Sequence, residues 1–225
     1  MPVDAYCERT DPSFWSEPAN AVTNLAFLIA AFFAYRHISR DRAPASLVTL
    51  VLLLVAIGLG SFTFHTVATR WAAVLDTTPI LLFMLTYVAV FPRWFLGLPW
   101  RRAWLGIPLF IAFAALVNLL VRGTYVPALL GMFVFAGWLA ARGERRYAAW
   151  FAGIGLLFGV SLTLRTVDGP LCGDFPLGTH FAWHVCNAAV LYLLVRVAAD
   201  RVWEVTGADR DSGGAGQLGT DHGTG

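Results

Sequence analysis

Lysine is absent from this 225-residue chain, so all sixteen of its basic residues are arginines. The bias points to a GC-rich, prokaryotic genome and carries no mechanism of its own. Charge of either sign is scarce: 13% of residues are charged, where a soluble domain carries roughly a quarter. With 58% hydrophobic residues and a mean hydropathy of +0.65, that shortage excludes a water-soluble globule and makes lipid the solvent for most of the chain. The formal charge is only +2, and no basic stripe interleaved with aromatics runs along the sequence, which excludes a nucleic-acid surface. Cysteine occurs three times, at Cys7, Cys172 and Cys186, too seldom for a disulfide scaffold. The first eighteen residues lack the basic start and apolar stretch of a cleavable signal peptide. They carry Asp4, Glu8, Asp11 and Glu17 instead.

What is present is apolar runs. A helix needs about 20 mostly apolar residues to cross the hydrocarbon, because the backbone there must satisfy its own hydrogen bonds. Seven such runs can be read, at 20–35, 46–66, 73–91, 103–121, 125–141, 147–165 and 179–199. The expected protein is all-α, an integral multi-pass membrane protein built as a seven-transmembrane helix bundle. Residues 1–18 form a segment before the bundle, 19–200 the bundle itself, and 201–225 a tail expected to be disordered. The tail is rich in Gly and Asp and has no apolar period after about Val205.

Arginines set the expected orientation. One side of the bundle holds Arg36, Arg40, Arg42, Arg93, Arg101, Arg102, Arg142, Arg145, Arg146, Arg196, Arg201 and Arg210. The other holds Arg9, Arg70, Arg122 and Arg165. Arginine-rich connections stay in the cytoplasm, so the N-terminus is expected outside and the C-terminus inside. Trp94, Trp100, Trp104 and Trp203 lie at span ends and read as interface anchors.

Ionisable groups inside spans are costly and mark functional sites. His37 falls in a basic connection and His222 in the tail, where solvation accounts for both. His65, His180 and His184 are different: the topology brings all three to one membrane face. His180 and His184 are four residues apart, which sets both imidazoles on one side of a helix. A third imidazole from another helix completes a three-histidine zinc site that keeps one position open, a catalytic rather than structural arrangement.

Around this trio stand other polar groups. Ser61 precedes His65 by one turn, either as a hydroxyl facing the metal or as a small residue that lets helices approach, as Gly58 and Gly60 do. Asp76 has three readings: a helix N-cap, a support for a ligand histidine, or a general base and acid beside the metal. The acidic N-terminal segment is either a solvated face or an oxygen-rich calcium site. Cys7 and Cys172 both fall on the non-cytoplasmic side, where a disulfide can form and would tie that segment over the loop before the last span. Cys186 reads as packing.

The ordered set Cys7-Glu8, Glu17-Pro-x-Asn20-x3-Asn24, Gly60-Ser61-x2-Phe64-His65, Asp76 and His180-x3-His184 resembles the alkaline ceramidases. It also resembles the wider superfamily of seven-helix hydrolases that includes progestin and adiponectin-type receptors. The resemblance spans residues 4–200. It implies hydrolysis of the amide of a ceramide-like membrane lipid, with His65, His180 and His184 holding Zn2+ and Ser61 with Asp76 as the catalytic pair. It also implies a Ca2+ site on Asp4, Glu8, Asp11 and Glu17. Here the chain departs from the family pattern: the Glu8–Glu17 interval is shorter, Asp4 aligns only with a one-residue shift, and Thr10 or Asp11 stands for an asparagine. The expected reaction has zinc acidify a water, Asp76 carry its proton to the leaving amine, and Ser61 steady the oxyanion. The rival expectations are a receptor or scaffold with a structural or regulatory zinc, and a hydrolase of another lipid amide or ester.

Overall fold

The computed structural model describes residues 3–39, 43–121 and 123–217, with side chains through Gly207. Arg40, Arg42, Arg122 and His222 therefore lie outside the described residues, as does the Arg210 side chain. Every regular element among the described residues is a helix: α1 (Pro18–Thr23), α2 (Leu25–Ile38), α3 (Ala45–Val67), α4 (Arg70–Trp94), α5 (Trp100–Ala103), α6 (Gly106–Leu120), α7 (Val126–Ala141), α8 (Arg145–Leu171) and α9 (His180–Gln217). α1 with α2, and α5 with α6, each make one span. Six spans are long and apolar enough to cross a bilayer, and the shorter α7 is the seventh. The chain is a seven-helix membrane bundle.

α9 runs through its middle, packing on α2, α3, α4 and α8. Leu47, Leu50, Leu54 and Ile57 of α3 and Val190, Val195, Ala198 and Val202 of α9 are fully enclosed. α6 is the outermost span and buries only Val117. Leu119 and Leu120 on it are 83% and 79% exposed. An apolar outer face of this kind is stable only against lipid.

Two of the expected boundaries move, with consequences for the site. α4 begins at Arg70, so Asp76 lies well inside the helix and Thr69 takes the N-cap position. The N-cap reading of Asp76 is thereby excluded. α8 continues to Leu171, past the expected 165, and carries Pro170 in its last turn. The Asp168-Gly-Pro sequence reads locally as a turn, but Asp168 is 2% exposed and accepts backbone hydrogen bonds from Cys7 (3.0 Å), Thr179 (2.7 Å) and His180 (2.9 Å). Those tertiary bonds hold the helix beyond its local preference. Trp94 also departs from expectation, packing in the core and donating to Ser46 Oγ at 3.4 Å, whereas Trp104 is exposed. His37 contacts Asp200 at 2.8 Å rather than water alone. The expected tail begins on α9, where Arg201 binds Glu144 at 2.9 Å and Tyr147 donates to Glu204 at 2.6 Å.

Prolines and glycines set the helix spacing. Proline lacks an N–H, so Pro79 and Pro92 within α4 free the carbonyls four residues earlier, on Leu75 and Val88. A glycine from a neighbouring helix packs against each. A Cβ on Gly60 of α3 would stand 2.2 Å from the Leu75 oxygen, and one on Gly106 of α6 would stand 2.2 Å from the Val88 oxygen. The close approach at Gly60 draws Ser61 of α3 up to Asp76 of α4. Gly60→Ala is expected to destabilise the protein by about 1–3 kcal/mol, because backbone cannot yield as a side chain can. Gly153→Ala, whose Cβ meets nothing within 4 Å, serves as the control. Thermal unfolding in detergent checks this, and equal midpoints for the two variants would deny the contact.

Candidate active site

α3 ends and α9 begins at the same end of the bundle, and there His65, His180 and His184 converge. All three are buried, at 0%, 2% and 1% exposure. Ring centroids lie 5.2 Å (His65–His180), 4.7 Å (His65–His184) and 4.6 Å (His180–His184) apart. One nitrogen from each falls within 4.8 Å of the others, so the three could hold a metal ion. They are the one such grouping of His, Cys, Asp and Glu among the described residues.

Surrounding bonds decide which nitrogens face inward. Glu17 Oε2 lies 2.6 Å from His65 Nδ1. Burial pushes the Glu17 carboxyl up, but hydrogen bonds and charge from His65, with further bonds from Asn20 and Arg9, leave it below the usual carboxylate range. As a carboxylate it only accepts, so Nδ1 carries the proton and Nε2 keeps its lone pair. Thr23 donates its hydroxyl to the Ala19 carbonyl at 2.7 Å and accepts from His184 Nδ1 at 3.0 Å, which frees His184 Nε2 in the same way. His180 stacks on Tyr6 with centroids 3.6 Å apart. His65 Nε2 and His180 Nδ1 are buried without any hydrogen-bond partner. Buried polar atoms are normally paired, so unpaired nitrogens within a cluster of imidazoles this tight fit the holding of a cation.

Ser61, Asp76, His180 and His184 line a cavity of about 170 Å³. The Ser61 hydroxyl stands beside the Asp76 carboxylate. This cavity shares Ile80, Tyr125, Trp183 and Asn187 with a second, apolar cavity of about 580 Å³. Along α4 the second cavity follows one stripe from Ile80 through Phe83, Tyr87 and Phe91 to Pro92. Twelve residues of helix span about 18 Å, the depth of one lipid leaflet.

The N-terminal segment lies directly against the site. Cys7 and Cys172 are disulfide-bonded, with Cα atoms 5.2 Å apart. Three of the four acidic residues weighed for calcium have protein partners there. Glu8 caps α1, accepting from Ala19 N (2.6 Å) and Asn20 N (2.8 Å). Asp11 accepts from Ser13 N at 2.7 Å, and Glu17 is taken up by His65, Asn20 and Arg9. Asp4, Glu8, Asp11 and Glu17 form no metal-holding group among the described residues. A cation is already built in: Arg9, 8% exposed, pairs with Glu17 and donates to the carbonyls of Asp11 (3.2 Å) and His65 (3.0 Å).

A family model described as Ceramidase matches residues 5–142. The chain belongs to the ceramidase family. The match takes in Cys7, Glu8, Glu17, Ser61, His65 and Asp76 and stops short of α8 and α9, so the bundle itself brings His180 and His184 to the family's half of the site. Ceramidases are amide hydrolases, and ceramide hydrolysis is the general activity that membership supports here. No curated protein matches the chain.

Sequence reading overlooked several residues of this ceramidase site. Tyr6, Arg9, Thr23 and Arg165 were not singled out, and Asp168 passed as a loop residue. Only one signal was legible: Arg165, an arginine near the end of a span. Tyr6 stands beside Arg165. Burial pushes its phenol up to about 12, so it remains a hydroxyl donor at neutral pH.

Proposed function

We propose that the chain hydrolyses the amide of ceramide or a related N-acyl lipid in a zinc-dependent reaction, releasing a fatty acid and a sphingoid-type amine. The observation that carries this reading is a cluster of three buried imidazoles beside a small cavity that Ser61 and Asp76 also line, continuous with an apolar cavity of acyl-chain length. An all-imidazole donor set suits zinc, and three ligands leave a position for reaction. His65, His180 and His184 would hold the zinc, which would supply Lewis-acid polarisation of the amide carbonyl and a more acidic water.

The chain's own residues do the rest. Asp76 takes the proton as water attacks and returns it to the departing nitrogen. Ser61 donates a hydrogen bond to the oxygen on which charge develops, a contact whose loss typically costs on the order of a hundredfold or more. The acyl chain lies along α4 in the larger cavity, which keeps bulk water from the reacting carbon. Glu17 and Thr23 hold the imidazoles in orientation, and Arg9 holds Glu17. This reading gives calcium no step, and Arg9 already neutralises the Glu17 carboxylate, one of the four groups the resemblance offers for that ion.

The site sits at the end of the bundle remote from Arg36, Arg93, Arg101, Arg102, Arg142, Arg145 and Arg146, which supports a non-cytoplasmic active site in a prokaryotic plasma membrane. The test uses purified protein stripped with 1,10-phenanthroline, then reloaded with zinc or calcium, on a panel of ceramides, N-acyl amines and phospholipids. Zinc is expected to restore cleavage of N-acyl lipids and calcium to restore none. Zinc-loaded protein that cleaves nothing in the panel would leave a receptor or scaffold.

A further inference from the structure

Arg165 has no part in the reaction as derived above, yet it lines the same small cavity as Ser61, Asp76, His180 and His184. It is the one arginine or lysine on that wall. α8 brings it there: Asp168, one turn further on, binds the first backbone amides of α9 and so registers Arg165 against His180. The guanidinium lies 5.3 Å from the centre of the Tyr125 ring and 5.8 Å from that of Trp183, with the Tyr6 hydroxyl beside it. Tyr125 and Trp183 also line the 580 Å³ apolar cavity, so the charge stands at the junction of the two spaces.

What the guanidinium lacks is a carboxylate in direct contact. Arg9 and Arg201 each hold a glutamate, whereas no carboxylate lies within ion-pair distance of Arg165 among the described residues; Arg93 and Arg196, half-buried and likewise without a carboxylate, line neither Arg165's cavity nor its aromatic wall. Asp76, on the same cavity, feels the charge of Arg165 without coming within ion-pair distance of it, which leaves the planar face of the fork free for a second carboxylate. An unpaired arginine at membrane depth is expensive, and aromatic faces offset only part of that cost. Its planar fork is shaped for the two oxygens of a carboxylate.

We infer that Arg165, with the Tyr6 hydroxyl, is a carboxylate-binding site whose occupant lays its alkyl tail in the adjoining apolar cavity. A neutral amide substrate gains little from this charge, whereas the fatty acid freed from it gains a full ion pair. Arg165 therefore holds the acid after cleavage and makes it a competitive inhibitor. The same chemistry would recognise a carboxylate on the amine side of the substrate, as in an N-acyl amino acid. Only the source of the carboxylate rests on the hydrolase reading; the binding site does not.

The test measures binding of palmitate and of hexadecanol, equal in chain and unequal in charge, to zinc-loaded protein in nanodiscs. Arg165→Gln is expected to weaken palmitate about tenfold or more and to leave hexadecanol unchanged, because a charge-assisted pair is lost and nothing apolar is. Zinc content confirms that the variant is folded. If it is not, Arg165→Lys, which keeps the charge and loses the fork, is expected to weaken palmitate severalfold with hexadecanol again unchanged. Palmitate affinity unchanged in a folded variant, or an equal fall for hexadecanol, overturns the inference.

Turnover then separates the two sources. A product site raises the inhibition constant of palmitate and affects ceramide and N-palmitoylglycine alike; a headgroup site lowers kcat/KM for N-palmitoylglycine alone. Arg165-dependent palmitate binding in a protein that cleaves no ceramide would uphold this site and end the hydrolase reading. Ceramide cleavage with palmitate binding indifferent to Arg165 would do the reverse.

Discussion

Protein carrying His184→Ala is expected to reach the membrane, bind no stoichiometric metal and hydrolyse no lipid. The imidazole sits one helical turn into α9, fully enclosed, with Nδ1 tied to Thr23 and Nε2 left for the ion. Removing it leaves His65 and His180, a pair too few to close a tight zinc site. Residues that merely orient a ligand cost 10–100-fold in metal affinity or activity, so loss of a ligand itself should exceed about a hundredfold. Insertion should survive, since it depends on apolar spans to which one histidine contributes nothing. Metal analysis, lipid hydrolysis and membrane fractionation on one preparation give the three readings. Full activity in this variant would end the metal-hydrolase reading at once.

Asp76→Asn should separate chemistry from metal binding. The amide is the same size as the carboxylate and cannot accept a proton, so turnover should fall by about 10²–10⁴-fold while metal content stays at wild type. Supporting the ligands is work already assigned: Glu17 orients His65 and Thr23 orients His184. Asp76 instead stands across the cavity beside Ser61, where a water and an amide would meet. Loss of metal from the variant, with the rate recovered on adding zinc, would recast Asp76 as a ligand support.

The chain's own letters went far in this case because a bilayer is an unforgiving solvent. Runs of apolar residues must become helices there, and 13% charge leaves few polar groups to explain. Three histidines on one side of a seven-span topology, two of them a turn apart, were enough to name the trio that the structure brings within reach of one ion. Local reasoning failed where distant chain supplied the partner. Asp168 reads as a turn former, yet three backbone amides from two remote segments bury it inside a helix. The partners of the acidic N-terminal residues were equally out of view: Glu8 binds the first amides of α1, and Glu17 binds His65 and Arg9.

Spacing along a helix is a property of sequence, and so are hydropathy and the sidedness of arginine. These determined the number of spans, the shared end of the bundle for His65, His180 and His184, and the family motif. Which nitrogen of each imidazole faces inward, how closely Ser61 approaches Asp76 through Gly60, and that Arg165 ends beside them without a carboxylate were decided only on folding. Each of those depends on a contact between residues on different elements of the fold, and the energy of such a contact exists only once the helices have packed.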